Sequence, residues 1–224
     1  MNKHQGAIQN RPRKPQSGPG RPAAGESLTP RDVAEAALQL ILAEGEGALT
    51  MRRLGEVLGV KAMALYNHFS DKEAILDAVA NLALARLPAA PAKGPWKARI
   101  KAISHGMRNM AQQHPNLFHV AMTRPIPPDS AMPQIESVLS ALADAGLAPP
   151  AQAVAFHTLR LYVRSYCLWE IEELSLGSNP AEVARAATQY PHVAVAANLI
   201  FSPDPDRQFE AGLDLILRGL QTGK

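Results

Sequence analysis

Apolar residues recur at helical spacing along most of the chain, and no stretch alternates between apolar and polar residues with period two. The sharpest pattern lies in residues 49–69, where Gly59 separates two short apolar faces. Thr50 can cap the first helix with its hydroxyl, and glycine ends a helix without a Cβ penalty. The stretch therefore predicts a helix up to Gly59, a tight turn, and a second helix over residues 61–68. The expected inward-facing residues are Leu54, Val57, Leu58, Val60, Leu65 and Phe69.

The segments on either side are also predicted to be helical. A first helix is expected to begin after Thr29, because Pro30 and Asp32 occupy favoured positions behind a capping residue. Residues 70–73 have the spacing of a capping box, which predicts a further helix that ends at Leu87. The buried stripe of the first helix is expected to comprise Val33, Ala36, Ala37, Leu40 and Ile41.

Prolines and small residues mark a boundary at 88–95, and the chain beyond it is again predicted to be helical. The segment 123–128 contains three prolines and is predicted to be a loop. The predicted helices are 96–113, 117–122, 132–145, 150–174, 180–188 and 206–220. The chain is therefore expected to have an all-α fold, with a tail (1–27) followed by two helical domains (28–88 and 95–224).

Basic residues are concentrated in the tail. Residues 1–27 contain five basic residues and one acidic residue, or +4, so the rest of a chain with net charge +3 sums to −1. The tail is rich in Pro, Gly and Gln and lacks hydrophobic periodicity, which predicts disorder. Two interpretations stay open: an arm that contacts DNA phosphates or the minor groove, and a solubilising leader without specific contacts.

Several other features limit the class of protein. The one cysteine, Cys167, excludes an internal disulfide framework and suits a reducing compartment. No signal-peptide pattern is visible, and no apolar stretch approaches the roughly 20 residues that span a bilayer. The longest candidate, 193–201, is too short. We therefore expect a soluble, cytoplasmic protein that does not contact membranes.

A short helix-turn-helix is either a plain structural corner or a DNA-binding unit. The flanking residues distinguish the two, because the segment 29–87 resembles the DNA-binding domain of the tetracycline-repressor family of bacterial transcriptional regulators. The resemblance rests on Ala36-Ala37-Leu38, Leu49-Thr50-Met51-Arg52-Arg53-Leu54, Leu58-Gly59-Val60, Leu65-Tyr66-Asn67-His68-Phe69 and Lys72-Glu73. It implies an amino-terminal DNA-binding domain and a carboxy-terminal helical domain for ligand binding and dimerisation.

The resemblance also implies roles for individual residues. At the amino end of the recognition helix, base contacts would be apolar, since Ala and Met can only pack against thymine methyls. Tyr66 can instead be a packing aromatic, and Arg52 can instead lie on a solvated face. The expected base-reading residues are Lys61, Ala62, Met63 and Ala64. The expected phosphate contacts are Thr50, Tyr66, His68 and Lys72, with Arg52 near bases or backbone.

Family members dimerise through two carboxy-terminal helices, which here correspond to 150–174 and 206–220. The symmetry of a palindromic operator favours such a dimer. The apolar face of the last helix can instead belong wholly to the core of one subunit. It comprises Phe209, Leu213, Ile216, Leu217 and Leu220.

The second domain more faintly resembles the ligand domain of the tetracycline repressor, through Trp96, 123–125, Glu170 and 209–220. Where that repressor has a magnesium-binding histidine, this chain has Val120, which cannot ligate a metal. The neighbouring His119 would point about 100° away on a helix. One carboxylate is a poor site for a hard divalent ion. We therefore expect no metal, no cofactor and no response to magnesium–tetracycline.

An effector pocket is predicted from soft and aromatic residues together with a few polar ones. The alternative is that these residues form ordinary core at helical spacing. The candidates are Met107, Met110, Phe118, Met122, Thr123, Arg124, His157, Tyr162, Tyr166, Trp169 and Glu170. Cys167 is expected to be a small buried hydrophobe rather than a redox sensor.

Together these features predict a homodimeric repressor that releases a palindromic operator when it binds a small molecule. One alternative is an enzyme with an accessory DNA-binding head. No nucleophile–base pair, phosphate-binding glycine loop or metal-ligand spacing favours it, so we expect no catalysis. Another alternative is a DNA-binding protein that responds to no ligand.

Overall fold

A computed structural model describes residues 27–87, 91, 93–124, 128–172, 180–201 and 204–220. These residues form eleven α-helices and one 3-10 turn (Glu46–Ala48), and none of them lies in a strand. The all-α prediction is confirmed. The helices are α1 (Pro30–Glu44), α2 (Met51–Leu58), α3 (Ala62–Leu65), α4 (Lys72–Ala85), α5 (Trp96–Gln113), α6 (Pro115–Thr123), α7 (Pro128–Asp144), α8 (Pro149–Ile171), α9 (Pro180–Ala187), α10 (Pro191–Phe201) and α11 (Pro205–Gly219).

The predicted start of α1 is confirmed by a reciprocal capping box. The Thr29 hydroxyl accepts from the backbone N–H of Asp32 at 3.2 Å, and the Asp32 carboxylate accepts from the backbone N–H of Thr29 at 2.9 Å. All five residues of the predicted stripe are buried, and Ala34 and Leu38 are buried as well. The buried face of α1 is thus wider than the sequence pattern indicated.

The turn between α2 and α3 forms as predicted. The Thr50 hydroxyl accepts from the backbone N–H of Arg53 at 3.1 Å, and Gly59 is left-handed with φ +71°. Gly55 allows the turn to close, because a Cβ there would lie 2.8 Å from the carbonyl oxygen of Val60. A side chain at that position would push against backbone, which cannot rotate away.

Two predictions for this turn were wrong. Val57 is 39% exposed rather than buried, since the face of α2 that meets the core comprises Leu54, Gly55 and Leu58. The second helix covers only Ala62–Leu65, and 66–68 form a turn. Leu65 is fully buried in the core and Phe69 packs against it, as expected.

The cap of α4 also differs from the prediction. Asp71 caps the helix by accepting from the backbone N–H of Ala74 at 2.8 Å, whereas the Ser70 hydroxyl donates to the Asp71 carboxylate at 3.1 Å. The charged carboxylate is the stronger acceptor for an unpaired helix N–H. The helix then ends at Ala85, two residues before the predicted Leu87.

The second half has the predicted α5, while other boundaries move. α6 is longer than predicted, and α7 begins four residues early, at Pro128, with Pro133 inside it. The predicted loop falls partly on residues 125–127, which lie outside the described residues. The predicted end of α8 at Leu174 and the tail residues 1–26 lie outside them as well. α10 was not predicted as a helix at all.

The buried residues of both halves form one continuous hydrophobic core. α4 lies between α1 and α6, so the helix that follows the helix-turn-helix also packs on the second half. α9 and α10 pack mainly against each other. Among the described residues, no helix has the length and apolar character that crossing a membrane requires.

Candidate DNA-binding and effector sites

The predicted DNA-contacting residues are mostly exposed on α2, α3 and the turn after α3. The Arg52 side chain is 89% exposed, and Met63 and Tyr66 are 75% and 51% exposed. Thr50 and Lys61 are exposed, while the smaller or flanking residues are half-buried: Ala62, Ala64, His68 and Lys72. About half of Tyr66 is thus accessible to a partner, and Met63 is an apolar group presented to solvent.

The basic residues of this surface differ in whether an acidic side chain pairs with them. Arg53 donates to Glu44 at 2.7 Å, and this hydrogen bond raises the pKa of its guanidinium. Arg52 approaches only Glu56, at 3.6 Å, in a largely exposed pair. Lys61 and Lys72 have no carboxylate within ion-pair distance among the described residues. The positive charges available to phosphates are thus those of Arg52, Lys61 and Lys72.

A cavity of about 510 Å³ lies between α4, α5, α7 and α8. Its lining is mostly apolar, with aliphatic side chains from all four helices and Phe156 from α8. Four of the predicted ligand residues line it: Met107, Met122, Arg124 and His157. A concave apolar site of this size with a few polar groups suits a drug-sized organic molecule.

The other seven predicted ligand residues lie away from this cavity. Phe118 is fully buried in the core, and Met110 borders a second cavity of about 360 Å³. The Thr123 hydroxyl donates to the carbonyl of His119 at 2.8 Å. Phe118 thus belongs to the core, Met110 to the smaller cavity and Thr123 to the end of α6.

Two aromatic residues of α8, Tyr162 and Tyr166, pack on α11 instead. The hydroxyls of Tyr162 and Tyr166 donate to the carbonyls of Phe209 (2.8 Å) and Pro205 (2.7 Å), and Trp169 packs beside Tyr166. Burial raises the pKa of both tyrosines to about 12. Tyr162 and Tyr166 thus join α8 to α11 and do not line the cavity.

Glu170 is engaged by an arginine that the sequence patterns did not single out. Arg108 of α5 is buried and donates to Glu170 at 2.7 and 2.9 Å and to Asp206 at 2.7 Å. Its guanidinium lies 4.9 Å from the ring centre of Phe209. The hydrogen bond from Arg108 lowers the pKa of Glu170, so the carboxylate stays charged and is neutralised by the arginine.

Arg124 connects the cavity with the DNA-binding end of the molecule. Its side chain lines the cavity and also donates to two carboxylates of α4, those of Asp77 (2.7 Å) and Glu73. It lies just after α6, and α4 follows the helix-turn-helix directly. A molecule that contacts Arg124 therefore competes with an ion-pair network on α4.

Comparison with known proteins identifies the family. Residues 87–223 match the family model of the tetracyclin repressor-like C-terminal domain, and residues 33–79 match that of the bacterial regulatory proteins of the tetR family. The chain belongs to the tetR family. The family predicted from the sequence is confirmed, and with it a helix-turn-helix transcriptional regulator.

Individual relatives agree with this assignment. The chain is 33% identical to the HTH-type transcriptional repressor DrrR1 of Streptomyces coeruleorubidus, over 93% of this chain and 81% of the relative. It resembles Streptomyces coelicolor ActR in complex with actinorhodin (TM-score 0.73, 28% identity, 86% and 95% of the two chains). It also resembles BioQ bound to its double-stranded DNA operator (TM-score 0.64, 25% identity, 88% and 100%).

The regulator's cavity contains residues that sequence reasoning missed. Gln134 of α7 and Arg160 and Arg164 of α8 all line it. The spacing of His157, Arg160 and Arg164 was the available signal, because residues three and four apart lie on one helix face. That signal alone does not say whether the face meets solvent or a cavity.

Cys167 is the one cysteine of this regulator, and it is buried. Burial raises the pKa of the Cys167 thiol to about 12, so the thiolate that reacts with oxidants is scarce at neutral pH. Among the described residues, no three His, Cys, Asp or Glu side chains form a group able to hold a metal ion. Val120, which occupies the position of the magnesium-binding histidine described above, is fully buried.

Proposed function

We propose that the protein is a homodimeric, cytoplasmic repressor that holds a palindromic operator and releases it when a small organic molecule enters the cavity between α4, α5, α7 and α8. The observation that supports this most strongly is the double role of Arg124, which lines the cavity and pairs with Glu73 and Asp77 of α4. Actinorhodin in ActR and the operator in BioQ are the corresponding partners of two relatives.

The proposed mechanism runs through α4. Without effector, Arg124 keeps α4 in one position against α6, and the helix-turn-helix is held with it because their cores are continuous. An effector that draws Arg124 toward the cavity weakens both ion pairs and favours a different position of α4. The ligand shifts the equilibrium only by the difference between its affinities for the two arrangements.

On DNA, we propose that Arg52, Lys61 and Lys72 contact phosphates, together with Thr50, Tyr66 and His68. Met63, flanked by Ala62 and Ala64, would meet the base edges.

Replacing Lys72 by Gln is expected to weaken binding to all sequences about equally, because a phosphate contact positions the protein without reading bases. Unchanged affinity for nonspecific DNA in a fluorescence-anisotropy titration would contradict this role.

We propose that two subunits meet through α8 and α11, as the division into a DNA-binding domain and a dimerisation domain implies. Each helix has an exposed apolar side chain on the face opposite its buried one: Val154 and Leu161 on α8 are 68% and 54% exposed, and Leu215 on α11 is 65% exposed. α8 and α11 lie in contact, so a second subunit could cover the exposed apolar side chains of both helices together. A monomer by light scattering at micromolar concentration would contradict the dimer.

The test of the coupling uses DNA from upstream of the protein's own gene, in mobility-shift assays with and without candidate ligands. The variant Arg124→Gln removes the ion pairs of the cavity with α4. Because the ion pairs that hold α4 are already absent, we expect this variant to bind operator more weakly than wild type without ligand and to show little further release when ligand is added.

Arg86→Gln is the matched control. Arg86 pairs with Glu35 of α1 at 2.5 Å, so its loss also removes an ion pair from the α4 region, but Arg86 does not line the large cavity. The control should retain ligand-induced release. Equal release by wild type and Arg124→Gln would show that Arg124 does not couple the sites, and ligand turnover without a DNA shift would favour an enzyme instead.

A further inference from the structure

One side of the effector cavity carries a row of nitrogen donors from α8. His157, Arg160 and Arg164 are spaced three and four residues apart, and all three line the cavity. This spacing places them along one face of the helix over two turns. The opposite walls, from α4, α5 and α7, are mainly aliphatic. The cavity thus has an apolar body and one polar edge.

The charges along this edge are not balanced from within the cavity. None of the described residues that line it is Asp or Glu. Arg124 pairs with Glu73 and Asp77, which lie outside the lining, whereas Arg160 and Arg164 have no carboxylate within ion-pair distance among the described residues. Two positive charges therefore face the cavity without an opposite charge.

Arg164 additionally has a buried donor without an acceptor. Its Nε is shielded from solvent and makes no hydrogen bond, and the Oε1 atom of Gln134 across the cavity is also buried without a partner. The Nε2 atom of Gln134 donates to the carbonyl of Leu84 at 3.1 Å, which holds its amide in place. Because both atoms are inaccessible to solvent, they do not border the open cavity, and a ligand would meet other atoms of these two side chains.

We propose that the effector is an amphipathic organic anion, whose acidic oxygen group is held by Arg164 and Arg160 and whose apolar body fills the rest of the cavity. A guanidinium binds an oxyanion through charge-assisted hydrogen bonds, which are stronger than neutral ones. This inference rests on the proposed function, because it specifies the ligand class of that cavity.

The experiment compares two fluorescent dyes with the same ring system, the anionic anilinonaphthalene sulfonate and the uncharged N-phenylnaphthylamine. The full-length protein should bind the anionic dye more tightly than the uncharged one. Arg164→Gln should weaken the anionic dye by at least about tenfold, the loss expected for one charge-assisted hydrogen bond, and should leave the uncharged dye unchanged. Arg160→Gln should have a smaller effect in the same direction, because Arg160 is exposed.

Two further variants guard against an indirect effect of folding. Arg164→Lys keeps the charge and is expected to lie between wild type and Arg164→Gln. Arg185→Gln removes an exposed arginine of α9, outside the cavity, and should bind both dyes like wild type. Each variant should shift operator DNA in the absence of ligand, which reports an intact fold.

The nature of the oxygen group is resolved by competition against the bound anionic dye. Anthraquinone carboxylate should displace it equally from neutral to alkaline pH, whereas a hydroxyanthraquinone should displace it better as the pH rises through its own phenol pKa. Displacement by neither compound would overturn the proposal. Equal binding of the two dyes to wild type and to Arg164→Gln would overturn the anion subsite alone, and the absence of saturable binding by either dye would overturn the cavity as an effector site too.

Discussion

The helix-turn-helix and the effector cavity are held together in different ways. In the first, short-range features determine the geometry: Thr50 caps α2, and Gly59 ends it three positions before α3 begins. In the second, contacts join residues far apart in the chain, such as Arg108 with Glu170 and Arg124 with Asp77. The DNA-binding end is therefore defined by local backbone conformation, and the ligand-binding end by long-range charge pairing.

The strongest test of this contrast is Arg108→Met, which removes the cation shared by Glu170 and Asp206. Breaking a buried ion pair on one side leaves an uncompensated charge, so we expect a loss of about 3 kcal/mol in the free energy of unfolding. Lys101→Met is the control, because its partners Glu210 and Asp214 are both substantially exposed and such pairs contribute about 1 kcal/mol or less. Equal losses in urea unfolding would contradict the contrast.

A smaller effect on stability but a direct one on DNA is expected for Gly55→Ala. The added Cβ would lie 2.8 Å from the carbonyl oxygen of Val60 and would push α2 away from α3. As for overpacking in a core, we expect a loss of about 2 kcal/mol in the free energy of unfolding. Operator affinity should fall by more than about tenfold.

Gly47→Ala serves as the control for Gly55→Ala, since a Cβ at Gly47 has nothing within 4 Å. It should bind operator like wild type. Wild-type affinity in both variants would show that the close approach of α2 and α3 does not determine DNA binding.

The smallest effect is expected for Thr50→Ala, which removes the cap of α2. Loss of an N-cap hydroxyl costs about 1 kcal/mol, and because α2 has only eight residues the loss should be visible in thermal melting. Thr50→Ser retains the hydroxyl and should restore most of the stability. If the alanine and serine variants melt together, the cap does not stabilise this helix.

The same contrast explains what the sequence predicted. The caps at Thr29 and Thr50 and the left-handed Gly59 follow from residues within a few positions of one another, and all three were predicted. The cavity depends on where four helices pass each other, so helical spacing selected Met107 and His157 but also aromatics that pack on α11. Spacing within one helix gives no information about which neighbour covers each face.

Charged residues were the main source of error in the second half. Arg108 lies on α5, and its partners Glu170 and Asp206 are 62 and 98 positions away. Its burial is favourable only because those carboxylates meet it, which depends on the packing of α5, α8 and α11. Arg164 is a similar case, since the cavity that it lines forms only where α8 meets α4, α5 and α7.

Because Cys167 is buried, the rate at which its thiol is labelled reports the local opening of α8. It is the one thiol in the chain, and it is fully enclosed on the face of α8 that meets the core. A maleimide added to the native protein can label this thiol only when α8 separates from its neighbours. The labelling rate therefore measures how often α8 separates, and no probe has to be introduced. Slower labelling in the presence of a bound molecule would reveal effectors from a chemical library before an operator is known.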